Sequence, residues 1–134
     1  MSDFHLTPLE NAVERLSEGL IRYQQDTTDL QIRDGLVQRF EFTYEISHKI
    51  LKRYLETISA NPEQYDAMTF QDLIRTANEY GLLLGDWSDW KRYRDMRSRT
   101  SHTYDEDTAI LVVNGIPKFL SEAQHLVKTL QGRL

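Results

Sequence analysis

Between the polar break Asp26–Asp29 and Ser59 the chain holds no proline, and its apolar residues recur on helical rather than alternating steps. Leu36, Phe40, Thr43, Ile50, Tyr54 and Ile58 fall among the inward positions of one long helix. Phe42, Ile46 and Leu55 give the same helix a second apolar face. A helix that is greasy on two sides lies either centrally in a bundle or between a core and a dimer contact, because each apolar face needs a surface to cover it. A chain of 134 residues built around such a rod is expected to be all-α, an up-down bundle of about five helices with a four-helix core. That length fits a single domain over residues 1–134, able to bury a core without disulfides or metals.

The flanking segments fit the same plan. Thr7-Pro8-Leu9-Glu10 reads as a helix start, with Thr7 as N-cap, Pro8 in the first turn and Glu10 closing a capping box. Leu9, Val13, Leu16, Leu20 and Tyr23 then mark an amphipathic helix ending near Gln25. After Asn61-Pro62, Thr69 opens a shorter third helix, with Met68 and Leu73 placed for a hydrophobic staple, and Gly81 and Gly85 punctuate its end. Asp86 is expected to cap a fourth helix from Trp87 to about Ser101, with Trp90, Tyr93 and Met96 inward. A fifth follows Thr103 and Asp105 and buries Ile110, Val113, Ile116, Leu120, Ala123, Val127 and Leu130, with a kink at Pro117.

Composition narrows the chemistry. With no cysteine there is no thiolate metal site, cysteine nucleophile or disulfide framework. The start Met-Ser-Asp-Phe-His is no signal peptide, and no apolar run approaches the ~20 residues that span a bilayer, so a cytoplasmic protein without a membrane partner is expected. The net charge of −5 speaks against nucleic acid, yet Lys91, Arg92, Arg94, Arg97 and Arg99 face only Asp95 between positions 91 and 99. That window carries +4 and the rest of the chain −9, which sum to the total of −5. Such a run is either a solvated helix face or an anion-binding surface.

Within and beyond this window stands Arg97-Ser-Arg-Thr-Ser-His102-Thr-Tyr104, the pattern R-x4-H-x-Y. Arginine holds phosphate oxygens with a permanent planar cation, and histidine is the side chain that titrates nearest physiological pH. The two together suffice for metal-free cleavage of RNA. On one straight helix Arg97 and Tyr104 share a face but His102 points about 140° away from Arg97. Thr100-Ser101-His102-Thr103 is a run of weak helix formers, and Thr103 to Glu106 reads as a capping box, so a break at residues 101–103 would set His102 and Tyr104 on an exposed corner. Alternatively, Arg97 and His102 from two protomers combine across a symmetric cleft.

These residues resemble a known family. Arg97-x4-His102-x-Tyr104 late in a helical domain of this size is similar to the HEPN domain, specifically the HepT toxins of HEPN/MNT toxin–antitoxin pairs. Gln38-Arg39-Phe40-Glu41-Phe42-Thr43-Tyr44-Glu45 and Thr100 to Glu106 also look like relatives called nucleotidyltransferase substrate-binding proteins. The resemblance implies a homodimeric, metal-independent endoribonuclease without cofactor, acting on RNA and not on DNA. His102 would be general acid or base and Arg97 would stabilise charge on the scissile phosphate, with Lys91, Arg94, Ser98 and Arg99 as lesser substrate contacts. It further implies a minimal nucleotidyltransferase antitoxin that transfers AMP to Tyr104. Ser98 stands where many HEPN motifs carry Asn, Asp or His, and His48 where the substrate-binding relatives often carry an aromatic.

Competing readings attach to the same residues. His102 also suits a helix cap, and Trp87, Trp90 and Tyr93 suit a core as well as base stacking. Glu41 and Glu45 form an i,i+4 carboxylate pair for a metal or, with Arg39 and Lys49, for a surface ion-pair network. No two histidines sit at metal-ligand spacing, so no metal is expected. The alternative function is a noncatalytic substrate-binding or adaptor subunit of a minimal nucleotidyltransferase.

Overall fold

A computed structural model describes residues 4–134. The reading of the extreme N-terminus as free of a signal peptide rests in part on Met1–Asp3, outside the described residues. Five helices follow in order: α1 Thr7–Gln25, α2 Leu30–Ile58, α3 Phe70–Glu79, α4 Trp87–Arg99 and α5 Glu106–Arg133. Short 3-10 turns at Pro62–Tyr65 and Thr100–His102 join them, and no strand occurs among the described residues. None of these helices is long and apolar enough to cross a membrane.

The central rod is α2. It packs along α1 and against α5, α4 and the short α3, while α5 also packs on α1 and α4. Leu36, Phe40, Thr43, Ile50 and Tyr54 are all buried, as their stripe requires. The second face splits. Leu55 is fully buried and Ile46 half-buried, whereas Phe42 is 62% exposed. Ile58 is 44% exposed, contrary to the inward position expected for it, because it ends α2 and the last core contacts fall to Tyr54 and Leu55. In α5 Ile110 is likewise outside, at 43% exposure, since the buried face runs through Ala109, Val112, Val113, Ile116 and Phe119. The α5 helix runs unbroken past Pro117.

Aromatic rings knit α2, α4 and α5 together. Phe119 meets Phe40 at 5.0 Å and Tyr93 at 5.2 Å in edge-to-face contacts, and Trp90 lies 6.1 Å from Phe119 and 5.4 Å from Tyr93. Trp90 and Tyr93 are therefore core, not a base-stacking surface. Burial pushes the Tyr44 phenol up to about 12, against the pull of Arg94 and Arg97.

Two caps differ from expectation. Thr7 lies inside α1, and Leu6, buried in the core, accepts from the backbone N–H groups of Leu9 and Glu10 at 3.0 Å; no side chain caps this end. Glu10 instead accepts from Gln131 Nε2 at 2.6 Å, tying α1 to the end of α5. At α5 the cap is Asp105, which accepts from the Thr108 backbone N–H at 3.0 Å, while Glu106 pairs with the buried Arg33 at 2.7 Å. Thr103 has turned out of the extended conformation that a cap requires. The Thr69 and Asp86 caps form as expected, accepting from Asp72 N at 3.1 Å and Ser88 N at 3.0 Å. Gly81 ends α3 at φ +70, a left-handed conformation that disfavours any side chain.

His48 provides a pH-dependent element of stability. Its half-buried ring stands edge-on to Phe70 at 4.6 Å, and burial, helped by Lys52 and Arg94, lowers its pKa below the ordinary 6.5. A depressed folded-state pKa means that the unfolded chain takes up the proton first, so stability is full above 6.5 and is lost as pH falls through the folded value. Between pH 7 and pH 5 the urea midpoint is expected to fall less for His48→Phe than for the unaltered protein. Equal falls would show that His48 does not carry this linkage.

Candidate functional site

The last turn of α4 and the corner after it carry the R-x4-H-x-Y residues. Arg97 lies at the end of α4, His102 closes the 3-10 turn Thr100–His102, and Tyr104 follows in the loop before α5. The expected helix break is thus present. His102 and Tyr104 are both exposed, Tyr104 at 86%, and their rings meet edge-on at 6.0 Å. His102 is not the cap of α5, a place that Asp105 takes, and its carbonyl accepts from Asp105 N at 3.1 Å.

Arg97 is the member with side-chain hydrogen-bond partners. Its Nε donates to Glu45 Oε1 at 3.1 Å, its Nη2 donates to the same oxygen, and its Nη1 donates to Thr100 Oγ1 at 3.3 Å. Glu41 Oε1 stands 3.8 Å from Nη2, and Glu41 Oε2 accepts from Thr100 Oγ1 at 2.7 Å. The Glu45 hydrogen bond is the chief cause that raises the Arg97 pKa. The carboxylate pair of α2 therefore serves an ion-pair network, as expected, but its partner is Arg97 across 52 residues of sequence rather than Arg39 or Lys49. Among the described residues no group of three or more His, Cys, Asp or Glu is gathered as for a metal ion.

The remaining basic residues divide. Arg99 Nε donates to Asp95 at 2.9 Å, and the Ser98 hydroxyl donates to the Arg94 carbonyl at 3.1 Å, so both are engaged along their own helix. Arg94 lies over the Phe70 ring at 5.7 Å, and Lys91 is exposed. The window of +4 is thus partly offset by Glu41 and Glu45, which sequence position alone does not bring near it. Their i,i+4 spacing marked them as a pair; the packing of α2 on α4 sets what they pair with. A groove of about 580 Å³ between α1 and α5, lined by Val13, Ser121, His125 and Lys128, contains none of the motif residues. The motif occupies a surface corner.

Sequence reasoning passed over Glu122 altogether. It is 1% exposed on α5, and its carboxylate accepts from Leu84 N at 2.8 Å, Gly85 N at 2.7 Å and Trp90 Nε1 at 3.1 Å. It fastens the α3–α4 connection, and with it the start of the helix that carries Arg97. A Cβ on Gly85 would stand 2.7 Å from Asp89 Oδ2, 2.8 Å from Asp89 Cβ and 2.9 Å from Glu122 Oε1, which explains a residue without a side chain there.

The chain as a whole resembles known proteins. The chain matches the family described as nucleotidyltransferase substrate binding protein like over residues 4–132. It is 44% identical over 99 residues to a Haemophilus influenzae protein named probable ribonuclease HepT, covering 74% of this chain and 67% of that one. A solved Haemophilus influenzae structure, described as revealing the fold of a substrate binding domain of a nucleotidyltransferase, superposes with a TM-score of 0.88 at 36% identity over 95% of this chain and 99% of that chain. With residues 4–132 matched, the chain belongs to the nucleotidyltransferase substrate binding protein like family.

Proposed function

We propose that this chain is a HEPN/MNT-type toxin, a metal-independent endoribonuclease that works as a single-domain protomer of a cytoplasmic homodimer. The observation that carries the reading is the pairing of an immobilised guanidinium with an exposed imidazole. Arg97 is held on α4 by Glu45 and Thr100, and His102 stands open to solvent on the adjoining corner. The 44% identical relative named a probable ribonuclease supports it. In the reaction the 2′-oxygen attacks phosphorus, the P–O5′ bond breaks, and the products are a 2′,3′-cyclic phosphate and a 5′-hydroxyl. His102 takes the 2′-hydroxyl proton or supplies one to the departing 5′-oxygen, and Arg97 balances charge on the phosphate oxygens. A symmetric dimer supplies both roles from two copies of His102.

A corner has no walls, and a second copy supplies them. Phe42, Ile110 and Leu111 are large, exposed apolar side chains that such an interface would cover. In this reading Lys91 and Arg94 meet neighbouring phosphates, Arg94 from its seat over the Phe70 ring, while Ser98 and Arg99 would first exchange their intrahelical partners. Tyr104, exposed and in ring contact with His102, is the acceptor for AMP that a cognate nucleotidyltransferase transfers from ATP, the phenol oxygen bonding to the α-phosphorus as pyrophosphate and the phenol proton leave. A phosphodiester at that hydroxyl puts negative charge where the RNA backbone must sit.

The second reading is a noncatalytic subunit that presents substrate to a nucleotidyltransferase. It is favoured by the description of the solved relative and by the partners that Arg97 already has. An oligonucleotide that is 2′-O-methylated except at one ribonucleotide, incubated in EDTA, separates the two. The ribonuclease reading predicts cleavage only after the ribonucleotide. An intact strand favours the subunit.

A further inference from the structure

We propose that Glu45, with Glu41 acting through Thr100, is a positioning residue that fixes the Arg97 guanidinium and selects which of its N–H groups meet phosphate; this rests on the ribonuclease reading. A guanidinium has five N–H donors. Glu45 takes the Nε–H and one on Nη2, and the Thr100 hydroxyl takes one on Nη1. One N–H then remains without a hydrogen bond on each terminal nitrogen, that on Nη2 with Glu41 Oε1 3.8 Å away, beyond hydrogen-bond distance, and two such groups suit two oxygens of one phosphate. The supports come from separate elements, α2 and the 3-10 turn after α4, and Thr100 is itself buried. Thr100 Oγ1 lies 2.7 Å from Glu41 Oε2 and 2.7 Å from the Arg97 carbonyl; its single proton goes to one of them at a time, and donation to Glu41 leaves the oxygen oriented to accept from Arg97 Nη1.

An unsupported arginine on a surface corner samples many rotamers, and ordering it costs free energy at each encounter with substrate. Binding it in advance shifts that ordering into folding, where it no longer weighs on the reaction. The carboxylates also reduce the local positive charge. A device for affinity alone would not include them, whereas one for orientation tolerates them.

The test is a double-mutant cycle on cleavage in EDTA, read together with the NMR resonance of the Arg97 Nε–H. Glu45→Ala is expected to lower kcat by a factor on the order of 10 to 100, the scale of misplacing a reacting group by ~1 Å. In an Arg97→Ala background the same change is expected to cost nothing further, because Glu45 acts only through Arg97. Glu45→Gln keeps an oxygen acceptor and is expected to restore most of the rate and the slow exchange of the Nε–H, both lost in Glu45→Ala. Faster cleavage by Glu45→Ala would overturn the proposal by showing that Glu45 competes with phosphate. An equal loss in the Arg97→Ala background would overturn it by showing an effect on the fold. If the unaltered protein cuts no RNA, the ribonuclease reading fails; an Nε–H whose exchange is indifferent to Glu45→Ala refutes the positioning role separately.

Discussion

Replacing His102 with alanine is expected to lower RNA cleavage by a factor on the order of 10² to 10⁴, the range attributable to one general acid or base, while leaving stability and dimerisation unchanged. The side chain is exposed on the corner and its ring contact is with Tyr104, itself in solvent, so no core packing depends on it. The loss should therefore appear in kcat, with the affinity for an uncleavable 2′-O-methyl RNA preserved. Single-turnover cleavage beside a binding titration measures both. A variant that cuts at the unaltered rate would remove His102 from the reaction. Tyr104 should still accept AMP in His102→Ala, because the acceptor hydroxyl does not rely on the imidazole.

The largest effect on stability is expected at Glu122. Glu122→Ala deletes a buried carboxylate and leaves the Leu84 and Gly85 amides and the Trp90 indole N–H without their acceptor. Leaving a buried donor without its acceptor costs about 1–3 kcal/mol, and three donors lose theirs at once, so the loss is a large fraction of the total stability of a domain this size. Glu122→Gln should lie between, since it retains one acceptor oxygen but turns an NH2 group towards other donors. Urea denaturation followed by circular dichroism gives the three midpoints. A Glu122→Ala protein as stable as the original would mean that the three donors find other acceptors.

Much of the helical plan is readable locally. The Thr69 and Asp86 caps, the ends of α1 and α2, the inward Trp90, Tyr93 and Met96, and the interruption between α4 and α5 each depend on residues within a turn or two. Where the reading differs from the fold, a distant contact decides. Thr7 is displaced as a cap because Leu6 is drawn into the core, and Glu106 is drawn away from Thr103 by Arg33, 73 residues earlier. Ile110 faces out because α5 is seated on Ala109 and Val112.

The candidate site divides in the same way. Arg97, His102 and Tyr104 stand out through their chemistry and spacing, both local. Glu45 and Thr100 as supports for Arg97, and Glu122 as the anchor of the α3–α4 connection, depend on the register in which helices pack, which no periodicity encodes. A carboxylate amid apolar residues, such as Glu122 between Leu120 and Ala123, is the one local sign that a buried partner exists.

The most direct test of the ribonuclease assignment is incubation of the purified protein with total cellular RNA in EDTA, beside Arg97→Ala and His102→Ala proteins verified to fold and dimerise alike. The account predicts fragments bearing 2′,3′-cyclic phosphate ends from the unaltered protein and only a small residual rate of cleavage from either variant. Intact RNA from the unaltered protein, or equal cleavage by all three, would contradict it and leave the substrate-presenting subunit as the reading to pursue.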